Sequence, residues 1–144
     1  PLPLYGDGKQ VRDWLYVEDN CEAIDLLLHE GEPGEVYNIG AENHRYNIDV
    51  AELILEIVGK PRSLIRFVED RAGHDRRYHV NFDKLKKLGW SPRHDSTAGI
   101  EKTVRWYMEN RWWWEKVRAG EFKEYYEKQY GKRLAEARPY SSTE

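Results

Sequence analysis

Apolar residues recur along this chain at two periods, and each period predicts an element. "PLPLY" at the start reads as a short extended segment, because proline fixes φ and suits an edge or irregular strand. "GDGK" follows as a turn, with glycine supplying positive φ. "DWLYV" predicts a brief strand, and Glu18 or Asp19 then opens a helix on which Cys21, Ile24, Leu27 and Leu28 recur at helical spacing. The Gly31–Gly34 region ends that helix, and "EVYNIG" predicts a second short apolar strand. Asn47 is placed to cap the next helix, with Val50, Ile54, Ile57 and Val58 as its buried stripe and Gly59 and Pro61 as its stop. "LIRFV" predicts a strand, and "FDKLKKLG" a short helix closed by Gly89. Ser96 is placed to cap a longer helix with Ile100, Val104, Tyr107 and Met108 inward. "EFKEYYEKQYGKRL" reads as a last helix, and "RPYSSTE" as a frayed end. Short strands alternating with helices give a mixed α/β (α+β) fold class.

Composition narrows the partners. The 144 residues suit one modest domain. A formal net charge of −3 offers no broad basic field for nucleic acid. The longest apolar run, "AIDLLL", is too short and too charged to span a bilayer. The lone Cys21 makes no internal disulfide, which fits a reducing cytoplasm. The "WWW" run at 112–114 is read as a core or domain-contact cluster rather than a membrane belt. A Pro-Leu-Pro start and few, short strands suggest a piece of a longer protein.

Several stretches carry candidate chemistry. Tyr5-Gly-Asp-Gly-Lys9 matches Y-x-x-x-K, but that pair needs one helical turn to aim both side chains together, and two glycines argue against a helix. Tyr5 can still stack on a flat ligand. No glycine-rich phosphate loop joins a strand to a helix, so nothing here predicts a dinucleotide site. "EDRAGHDRRY" supplies Asp70, Arg71, His74, Asp75, Arg76, Arg77 and Tyr78. Arginine forks onto phosphate oxygens and histidine donates to phosphate or hydroxyl, while the plainer reading is a solvated charged loop. His74 and His79 share no metal-ligand spacing. Arg12-Asp13 is either an ion pair holding a loop or the source of a phosphate-binding arginine. Asn38, inside a predicted apolar strand, is a buried amide that must brace a loop or touch a ligand. The adjacent acids Glu18/Asp19 and Glu69/Asp70 are discounted as acid/base couples.

Four pieces are more specific together. "PLPLYGDGKQVRDWLYVEDN", "GEVYNIG", "IRFVEDRAGHDRRY" and "KLGWSPR" occur in this order, and they resemble the C-terminal part of dTDP-glucose 4,6-dehydratases, within the extended short-chain dehydrogenase/reductase superfamily. The likeness covers roughly residues 1–130. The R-D-aromatic-x-x-V-x-D segment marks the superfamily, whereas the Trp in "RDWLYVED" and the run "GHDRRY" sharpen it to this family.

The resemblance implies a nucleotide-sugar-binding portion over residues 1–118, a C-terminal helix over 119–135 and a flexible tail over 136–144. It implies a substrate-binding lobe with the last elements of a Rossmann-type NAD-binding fold. An N-terminal half would hold NAD and the catalytic Tyr and Lys, and the full enzyme would convert dTDP-glucose to dTDP-4-keto-6-deoxyglucose and water, on the way to rhamnose and other deoxysugars. By this resemblance Pro3 and Tyr5 flank the thymine, Arg12 binds the diphosphate, and Asn38 lies near the same nucleotide. Asp70, Arg71 and His74 then reach the ribose and phosphates. A homodimer is implied for the full enzyme. Two positions depart from the family: "RAGH" stands for "RPGH", so Ala72 leaves the loop freer, and "VEDN" for "VEDH", so Asn20 takes no ligand role. The alternatives are another nucleotide-sugar epimerase or dehydratase, and a non-catalytic binding module.

Overall fold

The computed structural model describes residues 1–118 and 120–140. Strand β1 (Leu2–Tyr5) pairs in parallel with β4 (Ile65–Val68), which pairs antiparallel with β5 (Arg138–Pro139). A second ladder joins β2 (Val11–Asp13) to β3 (His44–Tyr46), antiparallel. The helices are α1 (Val17–Glu30), α2 (Asn47–Ile57), α3 (Asp83–Lys86), α4 (Ser96–Glu109), α5 (Arg111–Arg118) and α6 (Glu121–Ala135). The mixed α/β class expected from the pattern is the observed one.

Helix α2 is the hub. Ala51 and Leu55 pack with Ile65, Leu2, Leu4 and Phe67 of the first sheet, while Val50 and Ile54 pack with Ile100 and Val104 of α4. Alternation along β1 then sends Pro3 and Tyr5 to the face away from α2. A third cluster sets Ala23 of α1 against Phe82, Leu85 and Trp90.

Several expected elements differ. The strand predicted over "DWLYV" ends at Asp13, because β3 offers only three residues of ladder, and helix α1 begins at Val17. "EVYNIG" forms no strand. A strand needs a neighbour to satisfy its backbone, none among the described residues supplies one, and Val36 stays 80% exposed. Asn47 does not cap α2 but is its first residue. The orphan donors there go to backbone instead, Asn47 N–H to Gln10 O and Ile48 N–H to Gly8 O. Asp95, not Ser96, caps α4, its carboxylate accepting from Ala98 N–H at 2.8 Å. Gly59, at φ 65°, directly follows the C-cap of α2, whereas α3 stops earlier than expected, with Lys87 rather than Gly89 as its C-cap.

The tryptophan run lies on α5, and it is not a core of this chain: Trp112 is 64% exposed, and Trp113 makes edge contacts to Trp106 and Tyr107. Within the end expected to fray, Arg138–Pro139 add a strand to β4, and Tyr140 donates to Glu52 at 2.7 Å. Residues 141–144 lie outside the described residues. No helix of the described residues is long and apolar enough to cross a membrane. Leu28 of α1 is 78% exposed, and Val17 and Ile24 are exposed beside it on the same helix, an apolar face with no cover among the described residues.

Candidate nucleotide-binding site

The site grows from β2 and the loop that follows β4. Residues 75–78 run alongside β2: Val11 N–H donates to Arg76 O at 2.8 Å, and Tyr78 N–H to Val11 O at 3.1 Å. Arg12 is thereby gripped by backbone and by this loop. Its Nη1 donates to Val11 O at 2.7 Å, its Nη2 donates to Asp75 O at 3.0 Å, and the guanidinium lies 4.0 Å over the Tyr78 ring.

The same Nη2 stands 3.1 Å from His74 Nε2. Guanidinium has donors only, so Nε2 must accept, which places the imidazole proton on Nδ1. Nδ1–H then donates to Asp70 Oδ1 at 2.6 Å. Asp70 also accepts from Arg71 N–H at 2.9 Å and from Gln10 Nε2 at 3.0 Å. The His74 hydrogen bond above all holds the Asp70 carboxyl below the usual carboxylate range. Gly6 makes this approach possible, since a Cβ there would lie 2.7 Å from Asp70 Oδ2. The result is a relay from Gln10 through Asp70 and His74 to Arg12, with the His74 side chain only 5% exposed.

Tyr5, at the end of β1, meets His74 edge-on at 5.9 Å between ring centres. The Arg71 guanidinium lies 5.8 Å from its ring centre and that of Arg133, from α6, 5.4 Å. Arg133 also donates to the Tyr5 hydroxyl at 2.8 Å. Burial raises the Tyr5 phenol, but Tyr130, Gln129 and the two arginines outweigh it, so the net direction is down. Pro3 shares the Tyr5 face of β1.

Tyr5, Arg12, Asp70, Arg71 and His74 therefore converge, with Pro3 on the same strand face. Asn38 does not join them. It is exposed rather than buried and donates to Asn81 O at 3.1 Å, because its segment forms no strand. Arg12 and Asp13 make no ion pair. Neighbours on β2 point to opposite faces, and the Asp13 carboxylate is filled by the backbone N–H groups of Ala41, Glu42 and Asn43. Tyr5 and Lys9 are separated by a turn, with Gly6 and Gly8 at φ 59° and 70°, so they form no helical couple. Among the described residues no group of three His, Cys, Asp or Glu could hold a metal ion.

Gln10, Tyr78 and Arg133 are the contributors that residue patterns did not single out for the site. Tyr78 lay inside the quoted charged run, whereas Gln10 and Arg133 carry no local signal. A separate apolar groove of about 600 Å³ runs between the β2–α1 connection, α2, α4 and α5. It shares no residue with the charged cluster, and its wall of Trp14, Ile54, Ile100, Trp106 and Trp113 offers little to a charged ligand.

A family model described as GDP-mannose 4,6 dehydratase matches residues 1–103. The dTDP-glucose 4,6-dehydratase of Xanthomonas campestris pv. campestris is 48% identical over 133 residues, covering 85% of this chain and 38% of that protein. Among solved structures, the dTDP-glucose 4,6-dehydratase of Bacillus anthracis in complex with NAD is 48% identical with a TM-score of 0.74, covering 80% of this chain and 37% of the other. That of Streptomyces venezuelae, also solved with NAD, is 43% identical with a TM-score of 0.76, covering 81% and 36%. The chain thus spans 36–38% of the length of these relatives.

Proposed function

The chain belongs to the GDP-mannose 4,6 dehydratase family, and on that premise we propose that it is the nucleotide-sugar-binding part of a dTDP-glucose 4,6-dehydratase. The complete enzyme would turn dTDP-glucose into dTDP-4-keto-6-deoxyglucose and water with NAD. The observation that carries this reading is Arg12: a guanidinium fixed by backbone carbonyls and His74, with no carboxylate salt bridge among the described residues. A positioned, uncompensated guanidinium suits a diphosphate, and Tyr5 beside it offers a flat face for a base. Asp70, Arg71 and His74 then serve the ribose and phosphates, and Pro3 the base. Binding energy gathered here would position the sugar for chemistry done elsewhere in the protein.

These residues do not fit NAD. The first glycine-rich turn leads from β1 into β2 rather than into a helix, so it presents no helix N-terminus to a pyrophosphate. The cofactor is accordingly assigned to the remainder of the complete enzyme, and no cofactor step is assigned to this chain. Cytoplasmic location fits the exposed free Cys21, and a homodimer rests on resemblance alone.

The test is turnover by the complete protein on a panel of nucleotide sugars. Consumption of dTDP-glucose, with GDP-mannose and UDP-glucose left untouched, is the expected result. Preference for either of the latter would overturn the assignment.

A further inference from the structure

We infer that Arg133, on the last helix, is a further anion-binding residue of the nucleotide site. The inference rests on the nucleotide-site reading above. The partly buried residues Tyr126, Tyr130 and Arg133 recur at spacings of four and three, which makes them one face of α6. That face reaches Tyr5: the Tyr130 ring lies 6.4 Å from the Tyr5 ring, and Arg133 Nη1 donates to the Tyr5 hydroxyl at 2.8 Å across 128 residues of chain. This contact uses one of the five N–H donors of Arg133.

The charge around it is unbalanced. Arg12, Arg71 and Arg133 all approach the Tyr5–His74 pair or its relay, and among the described residues none of the three forms a salt bridge with a carboxylate. Asp70 is turned to His74, Gln10 and the Arg71 backbone, and the Asp75 carboxylate accepts from Tyr78. Like charges brought together around one ring repel, and an anion with several oxygens removes that cost while filling the spare donors. A diphosphate or a phosphate-bearing ribose is the chemistry that fits. Arg133 lies beyond the 1–103 segment matched by the family model, so the site would be completed by the far end of the chain.

The test uses the complete protein with Arg133→Ala, Arg133→Lys and Arg12→Ala, followed by dTDP-glucose kinetics and dTDP titration at low and high salt. Arg133→Ala should raise KM about tenfold, as expected for one charge-assisted hydrogen bond, with kcat retained. Its dTDP affinity should depend less steeply on salt, and Arg133→Lys should recover part of the loss. If Arg133→Ala lowers only the melting temperature or kcat, with KM unmoved, Arg133 merely straps α6 to Tyr5 and the inference fails. Should that variant not fold, Arg133→Gln, which keeps a long polar side chain without the charge, takes its place, and an unmoved KM with an unchanged salt dependence in it counts against the inference equally. In either case a raised KM in Arg12→Ala leaves the nucleotide-site reading standing, whereas no effect in any variant overturns that reading itself.

Discussion

Two aspartate–histidine pairs in this chain look alike in outline and serve different ends. Asp19 Oδ1 accepts from His94 Nδ1 at 2.9 Å, and Asp70 Oδ1 from His74 Nδ1 at 2.6 Å. In the first pair the aspartate is the buried member: its side chain is 1% exposed and also collects the backbone N–H groups of Arg93 and His94. Both of its oxygens are engaged in tying the 90s loop to α1. In the second pair the histidine is buried and the aspartate is 42% exposed, and the chain of contacts continues outward to an arginine with donors to spare. A saturated carboxylate holds a fold together, and an unsaturated cation at the end of a relay is ready for a ligand. Asp13 repeats the first pattern one residue away from Arg12, which shows the second.

The contrast is breakable, and the largest effect should come from the buried member. Asp19→Ala strands two backbone donors and a histidine, and should cost roughly 3 kcal/mol of stability, read as a lower melting temperature, with dTDP affinity unchanged in the folded protein. Arg12→Ala should do the reverse. It should weaken dTDP binding by about 2 kcal/mol, roughly thirtyfold, and leave the melting temperature nearly in place. Asp70→Asn keeps the shape and one acceptor oxygen but loses the charge that holds His74 and the second oxygen that accepts from Gln10, so affinity should fall by about fivefold, near 1 kcal/mol. Equal effects of Asp19→Ala and Arg12→Ala on both readouts would erase the distinction.

The smallest effect is in pH. Burial pushes the Asp19 carboxyl up, but His94 and the backbone donors outweigh it, and Asp70 is lowered chiefly by His74; both end below 3.8. A depressed folded value means each contribution is fully present above the unfolded value and is lost as pH falls through the folded one. The stability gap between the unaltered protein and Asp19→Asn should therefore stay level from neutral pH to about pH 4 and shrink below it. A gap that closes between pH 7 and 5 would contradict these directions.

What the sequence made legible follows from locality. The stripes of α1 and α4 could be read only in part: Ile24 and Leu28 are 46% and 78% exposed while Ala23 is buried, and Tyr107 and Met108 are 44% and 50% exposed. The apolar stripe of α2, the extended stretches that become β1 and β4, and the charged run after β4 are set by neighbouring residues, and each could be read. "EVYNIG" could not: its composition is that of a strand, but pairing is a property of whatever lies beside it. The cap of α4 shifted by one residue because Asp95 and Ser96 are both good caps, and Ser96 instead meets Arg45. Among the site residues, the partners of Arg12 in "GHDRRY" were legible as a group. Gln10 and Arg133 were not, since each acts on residues far away in sequence, and Asn38 was misjudged with the strand that was to bury it.

The most direct measurement is a crystal structure of the complete protein with dTDP bound. It should place the diphosphate against the Arg12 guanidinium, with the base on the Pro3–Tyr5 face of β1. A diphosphate bound elsewhere, with Arg12 still closed onto His74 and Asp75 and no phosphate oxygen near it, would contradict the account.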